Sequence, residues 1–467
     1  MKIKLIGKTG NNDVISSCAG RLSRANGTVS DVYNMSKGKT KEQNINFVEK
    51  VVGMGHTSII DHVYFNFAIE DVTPMIEQLL IESRYCSLTI KSRREANFAE
   101  KKYYKPSFEG KNKKELLKEY NENMDRLFDA YQVFVDEGIK VEDARYILPY
   151  CFYSQILFGA DATELIRIIN LFEYGSYSHM KEAKEFGEKL HKEVSKVAPY
   201  IDSVLENVKY KDENPIKDVI NNYIPNKNIS DCKTVAINES EFSKIDETIA
   251  INAISRIKQV DIDTAKKQLK TLSKEDSTFM PKLFRAINDD YVKSDLKTIS
   301  LKFQFTISFA NLTHITRHRG VALSIPDFVP NLCLERYIIP ESISSNEKLL
   351  KLFKDIYKSN IDLYNKFKDS GIREEDLVYF ALSCNQVNVT ATFSGDTFKH
   401  VSSLRVCRKA QWEIRKILKD MVDIVEKHSE YYSKIVGANC AVTGICPEKF
   451  ECCKNPYPNK KIIIEEK

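Results

Sequence analysis

One short segment of the sequence, Arg317-His318-Arg319, groups three side chains that could hold an anion. Its two guanidiniums offer fork-shaped donors that suit phosphate or the carbonyl edge of a ring system. The imidazole between them can donate a hydrogen bond without carrying a permanent charge. An isolated Arg-His-Arg is more often a solvated basic turn, so a functional interpretation depends on what accompanies the triplet.

Further basic and polar side chains follow the triplet. Arg405 comes first, and then the segment AQWEIR at residues 410–415, which contains the only tryptophan of the chain. On a helix, Gln411 and Arg415 would be four residues apart and would share a face. The presence of these additional basic and polar residues favours a functional interpretation of the triplet.

An earlier segment, ESRYCSLTIKSRR, combines hydroxyl and guanidinium groups. Arg84, Ser87, Ser92 and Arg94 stand at a spacing that can form a loop binding a phosphate and a base. Cys86 lies inside this loop, but neither a histidine partner nor a helix N-terminus is evident to activate it. We therefore interpret Cys86 as a small buried residue.

Two histidines precede that loop. His56 and His62 occur with Ser58 and Asp61 in GHTSIIDH, at the start of a predicted strand. Taken singly, each histidine is more simply interpreted as a structural cap of the strand than as a ligand.

The composition is that of an ordinary globular protein. The 467 residues predict two or three domains, and 42% hydrophobic with 29% charged residues suits a substantial core. A net charge of +5 is too small for a general nucleic-acid binder. We find neither a signal peptide nor an apolar run of about 18 residues, so we expect a cytoplasmic protein without a membrane span.

The elements that carry these residues occur twice. Eight residues of YQVFVDEGIKVEDARYILP, which begins at Tyr131, recur 233 residues later in YNKFKDSGIREEDLVYFAL, which begins at Tyr364. Each copy also has an alternating apolar strand, HVYFNFAIEDV or SLKFQFTISFA, followed at once by an arginine-bearing segment and then by long helices. So many identities at one offset indicate a duplication.

We therefore predict an α+β fold of two tandem repeats. The expected division is an N-terminal repeat at residues 1–205, a polar linker at 206–232, a C-terminal repeat at 233–438 and a Cys-rich tail at 439–467.

The motifs together resemble the flavin-dependent thymidylate synthase family, with its active-site residues divided between two copies. The family pattern is Arg-His-Arg, two residues, Ser, four residues, Ser, one residue, Arg. The C-terminal copy supplies Arg317-His318-Arg319 and then departs from the pattern. The N-terminal copy begins with Glu82 and Ser83 and fits the remainder. The resemblance implies an antiparallel sheet packed with helices in each repeat.

Two further stretches carry the resemblance, which extends from about residue 45 to residue 435. The N-terminal copy alone matches Gly-His-x-x-x-x-(Glu/Asp)-His, from Gly55 to His62. The C-terminal copy alone matches the Arg followed by Ala-Gln-x-Glu-Ile-Arg, because the N-terminal copy has Phe172 and YSHMKE, a stretch that we interpret as unrelated. The two copies are thus complementary.

The resemblance implies one composite site, in which each copy supplies what the other has lost. Family enzymes are homotetramers with sites between subunits, so a fused duplicate could divide the residues. The implied cofactor-binding set is Arg317, His318, Arg319, Arg405 and His56. The implied substrate-binding set is Arg84, Ser87, Ser92, Arg94, Gln411 and Arg415. Arg415, Arg319 and His318 would be catalytic, with Arg415 polarising the uracil ring so that C5 becomes nucleophilic.

The implied activity is that of a flavin-dependent methyltransferase acting at C5 of dUMP or a related pyrimidine nucleotide. It would use FAD, NADPH and methylenetetrahydrofolate, and reduced flavin would supply the hydride that completes the methyl group. Its partners would be the nucleotide and the folate, without nucleic acid or membrane, and a homodimer would form a pseudo-tetramer.

Departures from the family pattern keep alternatives open. The family's phosphate arginine is Gln155 in one copy and Asn388 in the other, and the glutamine before the triplet is His314. Its Asn-x-Arg becomes residues 161–163 (Asp-Ala-Thr) or 394–396 (Ser-Gly-Asp). The alternatives are a different pyrimidine nucleotide, a non-catalytic flavin- or nucleotide-binding protein, and a structural partner of an intact synthase.

The C-terminal tail lies outside the resemblance and holds four of the eleven cysteines. These four tail cysteines are Cys440, Cys446, Cys452 and Cys453. They could bind zinc or an iron–sulfur cluster, although their spacing is not that of short Cys-x-x-Cys pairs. Reduced thiols or a disulfide-prone tail are the simpler alternatives. The scattered cysteines, such as Cys151 and Cys384, are expected to be reduced core residues.

Overall fold

The computed structural model describes residues 1–110, 112–208, 215–224, 232–289, 295–448 and 452–460. The chain divides into two compact units. Unit 1 comprises the described residues of Met1–Asn228, Phe328–Leu334 and Ile339–Cys384. Unit 2 comprises those of Ile229–Asp327, Glu335–Ile338 and Asn385–Lys467. The units do not coincide with the predicted repeats, because a helical part of the second repeat belongs to unit 1.

Each unit contains one four-stranded antiparallel sheet. The strands are β1 (Lys2–Lys8), β2 (Tyr64–Val72), β3 (Cys86–Ile90), β4 (Ser154–Asp161), β5 (Val235–Ala236), β6 (Ser300–Ser308), β7 (Ala322–Ser324) and β8 (Gln386–Ser394). The orders β1-β2-β4-β3 and β5-β6-β8-β7 are the same arrangement built twice. Alternate residues of β2 and β6 are buried, as the period-two pattern predicts. The α+β fold with two repeats is thereby confirmed.

The first repeat surrounds its sheet with helices. They are α1 (Asn12–Leu22), α2 (Val29–Lys37), α3 (Lys41–Gly53), α4 (Pro74–Glu82), α5 (Lys113–Asp136), α6 (Val141–Ala144), α7 (Ala162–Glu173), α8 (Lys181–Ser195) and α9 (Tyr200–Val208). One more helix, α10 (Pro215–Tyr223), lies within the predicted linker. Residues 209–214 and 225–231 of that linker lie outside the described residues.

The second repeat has a corresponding set of helices. They are α11 (Ile245–Lys258), α12 (Ile262–Glu275), α13 (Phe279–Asp289), α14 (Phe309–Thr316), α15 (Phe328–Asn331), α16 (Glu341–Ser344), α17 (Glu347–Asp369), α18 (Glu374–Leu377), α19 (Gly395–Arg405), α20 (Trp412–His428) and α21 (Asn439–Thr443). None of the described helices is both long and apolar enough to cross a membrane.

A repeated glycine ends the long helix of each repeat. Gly138 follows α5 with φ +83°, and Gly371 follows α17 with φ +76°, a left-handed conformation that glycine adopts without steric cost. The next amide donates to the carbonyl five residues earlier, at 2.9 Å from Ile139 and 3.2 Å from Ile372. This is the hydrogen bond of a Schellman cap. The glycine identity in the sequence repeat therefore has a conformational cause.

The two long helices pack against each other as an antiparallel pair inside unit 1. Near the middle, Asn123 Nδ2 donates to Asn360 Oδ1 at 2.7 Å, and both side chains are fully buried. Further along, the rings of Phe134 and Phe353 stack with centroids 6.1 Å apart. Apolar faces of amphipathic helices must be covered, and here each helix covers the other. This contact explains why part of the second repeat belongs to unit 1.

A short bridge beside these helices also relates the repeats. Pro149 pairs antiparallel with Leu382, and these residues occupy the same position in the two copies, 233 apart. Flanking backbone hydrogen bonds run from Tyr150 and Ser383 to the opposite segment, at 2.6 and 2.9 Å. Each bond is the counterpart of the other at the same offset. The segments therefore meet around a local pseudo-two-fold axis, with the predicted core residues Cys151 and Cys384 buried next to it.

Candidate functional site

The predicted anion-binding triplet lies at the end of α14, in unit 2. Helix α14 starts directly after β6 and stops at Thr316, so Arg317-His318-Arg319 forms the turn that follows. Arg317 Nε donates to the carbonyl of Thr313 at 3.1 Å. Both arginines are exposed and the histidine is half-buried. The helix end thus concentrates positive charge at the surface of unit 2.

His318 is a neutral hydrogen-bond acceptor in this turn. Arg405, the last residue of α19, donates from Nε to His318 Nε2 at 3.0 Å. Burial lowers the pKa of His318 to about 3, and the neighbouring Arg405, His400 and Arg317 contribute in the same direction. The imidazole is therefore uncharged at neutral pH, with its proton on Nδ1. Two predicted cofactor residues from distant parts of the sequence are thereby brought into contact.

A buried glutamate fixes the other end of α14. The Glu413 carboxylate accepts from Ser308 N at 2.7 Å, from Ser308 Oγ at 2.6 Å and from Asn311 Nδ2 at 2.8 Å. A carboxylate at a helix N-terminus satisfies unpaired amides and interacts favourably with the helix dipole. Because α14 is only eight residues long and ends in the triplet, Glu413 positions the triplet through this helix. The sequence alone assigns no separate role to Glu413.

The first repeat contains the same device, at a place where the sequence interpretation is wrong. Glu182, in YSHMKE, accepts from Thr73 N at 2.9 Å and from Thr73 Oγ1 at 2.8 Å, at the start of α4. Helix α4 leads to Ser83 and Arg84 as α14 leads to the triplet. Residues 179–184, which overlap YSHMKE, are therefore the counterpart of AQWEIR, with Glu182 in the position of Glu413. The likeness is hard to read in the sequence because little more than the glutamate is retained.

Glu182 differs from Glu413 in its surroundings. The hydroxyl of Tyr379 donates to Glu182 Oε2 at 2.9 Å, inside unit 1. Burial raises the pKa of Glu182 to about 7, although the hydrogen bonds from Thr73 and Tyr379 act against that rise. The first repeat has thus kept the structural device with a carboxyl group that titrates near neutral pH.

Gln411 and Arg415 hold the loop between α19 and α20. Helix α20 begins at Trp412, so Gln411 is its N-cap rather than part of a helical face, and its side chain accepts from Glu413 N at 2.7 Å. Arg415 Nη1 donates to the carbonyl of Arg408 at 2.6 Å. The loop that joins Arg405 to α20 is consequently tied down by two of the residues predicted to bind substrate.

The N-terminal set of predicted substrate residues lies around β3 in unit 1. Ser87 is on the strand and Arg84 just precedes it, and both side chains are exposed. Ser92 Oγ accepts from the amide of Arg94 at 3.3 Å. Arg94 Nε donates to Glu142 Oε2 at 2.8 Å, with both side chains about one-quarter exposed. The loop after β3 is therefore ordered by its own polar residues.

Two buried arginines, one within this loop and one beside it, are missed by the sequence interpretation. Arg93 forms an ion pair with Glu77 at 3.1 Å, and both side chains are buried. Arg145 is 2% exposed, and its Nε donates to the carbonyl of Glu142 at 3.0 Å. Burial lowers the pKa of Arg145 to about 10, and Arg93 and Arg94 act in the same direction. Arg145 could have been noticed, because the second repeat has an apolar residue at this position.

The histidines of GHTSIIDH lie at the surface of unit 1. His56 immediately precedes a 3-10 turn at Thr57–Ile60 and makes no side-chain capping hydrogen bond to it. His56 and His62 are both exposed. The Asp61 carboxylate between them accepts a hydrogen bond from the hydroxyl of Thr163.

Positions that depart from the family pattern have structural contacts. Gln155 Nε2 donates to Asp71 Oδ1 at 3.3 Å, and Asn388 Oδ1 accepts from Thr306 Oγ1 at 2.6 Å. Asp161 is the N-cap of α7. Cys86 is buried, as predicted. Two of these polar positions therefore join neighbouring strands of a sheet, and Asp161 begins a helix.

The metal site predicted at the four tail cysteines receives no support. In the part of the chain that the structure describes, no group of three or more His, Cys, Asp or Glu side chains is arranged to hold a metal ion. Two of the four thiols contact separate backbone groups instead. Cys440 Sγ accepts from Tyr457 N at 3.4 Å, whereas Cys453 Sγ donates to the carbonyl of Asn455 at 3.4 Å.

Comparison with known proteins assigns the chain to a family. The family described as thymidylate synthase complementing protein matches residues 4–200 and 242–429. The chain belongs to this family. One matched region covers most of each predicted repeat, so the thymidylate synthase complementing fold occurs twice in one chain. Each half of the divided motif lies within a separate matched region.

Relatives in this family are named flavin-dependent thymidylate synthases. That of Pyrococcus abyssi is 28% identical over 188 residues, which are 36% of this chain and 77% of the relative. That of Clostridium tetani is 27% identical over 215 residues, 43% of this chain and 84% of the relative. For the protein of Thermococcus onnurineus, 30% identity over 118 residues spans about half of the relative, 48%, and 24% of this chain.

Solved structures that resemble the chain cover less than half of it. The UMP/dUMP methylase PolB from Streptomyces cacaoi, bound with 5-Br dUMP, is 17% identical and covers 44% of this chain and 95% of its own, with a TM-score of 0.37. Thymidylate synthase X from Helicobacter pylori, with FAD and dUMP, is 17% identical and covers 44% of this chain and 100% of its own, with a TM-score of 0.35.

Proposed function

We propose that the chain is a flavin-dependent methyltransferase that acts at C5 of dUMP or a related pyrimidine nucleotide. Family membership over both repeats and relatives named flavin-dependent thymidylate synthase support this proposal. The observation that carries it is the hydrogen bond from Arg405 to His318, because it joins two family motifs that are 87 residues apart.

The residues around His318 fit a flavin nucleotide. FAD carries a pyrophosphate and a ring system edged with carbonyls, and both need hydrogen-bond donors. Arg317, Arg319 and Arg405 provide guanidiniums, and neutral His318 provides an Nδ1–H donor without adding a fourth charge. Bound flavin would supply the hydride, while these residues bind and orient it. NADPH is proposed as the reductant and methylenetetrahydrofolate as the carbon donor.

The nucleotide is proposed to bind through the set from β3 and the loop after it. Arg84, Ser87, Ser92 and Arg94 supply hydroxyl and guanidinium donors, with Gln411 and Arg415 contributing at the base. The buried Arg145 adds positive potential next to Arg94, in a repeat where the family's phosphate arginine is Gln155. That the two residue sets serve one site rests on their complementarity in the sequence.

The test is a visible absorption spectrum of the full chain, recorded after adding FAD and then dUMP, with an assay for tritium release from [5-³H]dUMP. Near-stoichiometric flavin bands that change with dUMP, together with tritium release that requires the folate, support the proposal. Flavin bands that do not change when dUMP is added would rule out dUMP as the substrate. Absence of flavin under all conditions favours a non-catalytic or structural protein derived from this fold.

A proposed assembly accompanies this function. Two chains would form a homodimer whose four repeats take the places of the four subunits of the family's homotetramer. Light scattering during size-exclusion chromatography would measure this directly, and a monomer that turns over dUMP would discard the proposed assembly while leaving the activity in place.

A further inference from the structure

Five cysteines line one small cavity in unit 2. The cavity measures about 20 Å³, which is room for about one water molecule. Its cysteines are Cys407, Cys440, Cys446, Cys452 and Cys453. All are free and half-buried. Cys407 belongs to the loop between α19 and α20, whereas the others belong to the tail, so the tail and the loop present thiols to the same space.

Two of these thiols influence each other. Cys446 and Cys452 both line the cavity, and each shifts the pKa of the other. A backbone hydrogen bond at Lys454 lowers the pKa of Cys452, and the Cys446 thiol lowers it further. At Cys446 a backbone hydrogen bond at Glu448 lowers the pKa, but loss of water and the neighbouring Cys452 outweigh it and raise the pKa. Cys452 is thus the thiol that ionises first.

We propose that Cys446 and Cys452 are a redox-active dithiol that closes to an intramolecular disulfide on reaction with a small-molecule disulfide. The Cys452 thiolate attacks one sulfur of that disulfide, forms a mixed disulfide and displaces one thiolate. Cys446 then gives its proton to solvent, attacks the Cys452 sulfur and displaces the second thiolate. The protein dithiol loses two electrons and two protons, and the oxidant becomes two thiols.

The position of the pair gives this oxidation a structural consequence. The tail contacts the neighbouring loop through Tyr457, whose ring lies 4.4 Å from the Arg408 guanidinium. The carbonyl of Arg408 also accepts from Arg415 Nη1 at 2.6 Å. The loop that carries Cys407 is therefore held between the tail and α20. Closing a disulfide in the tail would alter the packing of this loop. The loop starts at Arg405, which donates a hydrogen bond to His318.

The experiment places the full-length chain in glutathione buffers of graded reduced-to-oxidised ratio. Acid quenching, alkylation and peptide mass spectrometry then report every thiol. We expect one two-electron transition in which two alkylatable thiols per chain are lost and a Cys446–Cys452 cross-link appears. Cys446→Ser and Cys452→Ser should each abolish the transition and leave at most one glutathione adduct. Cys453→Ser is the matched control from the same tail and should retain it.

Three results would overturn the proposal. One is complete alkylation of Cys446 and Cys452 at every ratio. Another is a Cys452–Cys453 cross-link, which Cys453→Ser would remove. The third is stoichiometric zinc, measured by inductively coupled plasma mass spectrometry, that protects the thiols from alkylation until a chelator is added. Half-exposed Cys333 in unit 1 reports non-specific oxidation in the same digest. None of these readouts needs flavin binding or methyl transfer, so they are independent of the proposed function.

Discussion

Asn123 donates to Asn360 at 2.7 Å in the interior of unit 1, although the two residues come from different repeats. The contact lies between the long helices α5 and α17, which cover each other's apolar faces. A buried amide pair has few alternative partners, so it fixes how the two helices align. The two repeats are therefore joined by a shared helical core as well as by the continuous chain. We expect a fragment ending near residue 230 to expose the apolar face of α5 that α17 now covers, and therefore to aggregate.

Removing one side chain of this buried amide pair should lower the free energy of unfolding. Asn360→Ala leaves Asn123 without its acceptor and the carbonyl of Phe380 without the donor now at 2.9 Å. We expect a loss of about 2–4 kcal/mol in the free energy of unfolding, measured by urea denaturation. Lys366→Ala, which removes an exposed ion pair to Glu119 on the same helices, should cost less than about 1 kcal/mol. Equal losses would contradict the proposed role of the amide pair.

Flavin binding should depend on the triplet. Arg319→Ala removes an exposed guanidinium from the turn after α14 without emptying the core. We expect the dissociation constant for FAD to rise at least about tenfold, the loss of one charge-assisted hydrogen bond, as measured by absorbance titration. Lys416→Ala, an exposed cation on α20 paired with Asp420, should leave FAD affinity unchanged. An unaltered affinity in Arg319→Ala would remove the triplet from the flavin site.

Nucleotide binding should depend on Arg94 itself and not on its ion pair. Arg94→Ala should weaken dUMP binding about tenfold or more while sparing FAD, as measured by calorimetry on the flavin-loaded chain. Glu142→Gln removes the charge that Arg94 contacts at 2.8 Å but keeps the guanidinium, so it should preserve or strengthen dUMP binding. If both variants weakened binding equally, Arg94 would be a structural residue.

The stability of the chain should fall as the pH rises towards neutrality, through Glu182. Its pKa in the folded chain is raised to about 7, so between its ordinary value and pH 7 the folded state binds more protons than the unfolded state. Stabilisation present below about pH 4.5 is then lost as the pH rises through about 7. The stability difference between wild type and Glu182→Gln should therefore shrink by a few kcal/mol over this range, measured by urea midpoints.

Tyr379→Phe provides the matched change for that pH prediction. The Tyr379 hydroxyl donates to the Glu182 carboxylate at 2.9 Å, and this hydrogen bond lowers the pKa of the carboxyl group. Its removal should move the pH window of the lost stability upwards. A profile in Glu182→Gln parallel to that of wild type would show that another group is responsible.

Local features of the fold could be predicted from the sequence, but the packing between repeats could not. The alternating strands and the repeated Gly138 and Gly371 are read from neighbouring residues, because strand burial and a left-handed cap are local properties. That α17 belongs to unit 1 depends on which apolar faces meet, and no local pattern specifies that choice. For the same reason, the repeat boundaries of the sequence and the compact units of the structure differ.

The candidate site was predictable to the extent that its residues form recognisable motifs. Arg317, His318 and Arg405 could be named in advance, and the structure brings His318 and Arg405 together. Glu182 was missed because a single retained glutamate in a changed segment leaves almost no sequence signal. Arg93 was missed because the motif gave it no role. The composite site itself stays a prediction, which the paired arginine variants address.

The bridge between Pro149 and Leu382 has a consequence for how this molecule can change. In a symmetric dimer of identical chains, a residue next to the axis faces its own copy, so every substitution there enters the interface twice. In this chain the two facing positions are encoded separately, and they already hold a ring without an amide hydrogen on one side and a branched aliphatic side chain on the other. Each repeat can therefore acquire substitutions at its own position that the other position would not tolerate, and the resulting differences between the repeats are inherited.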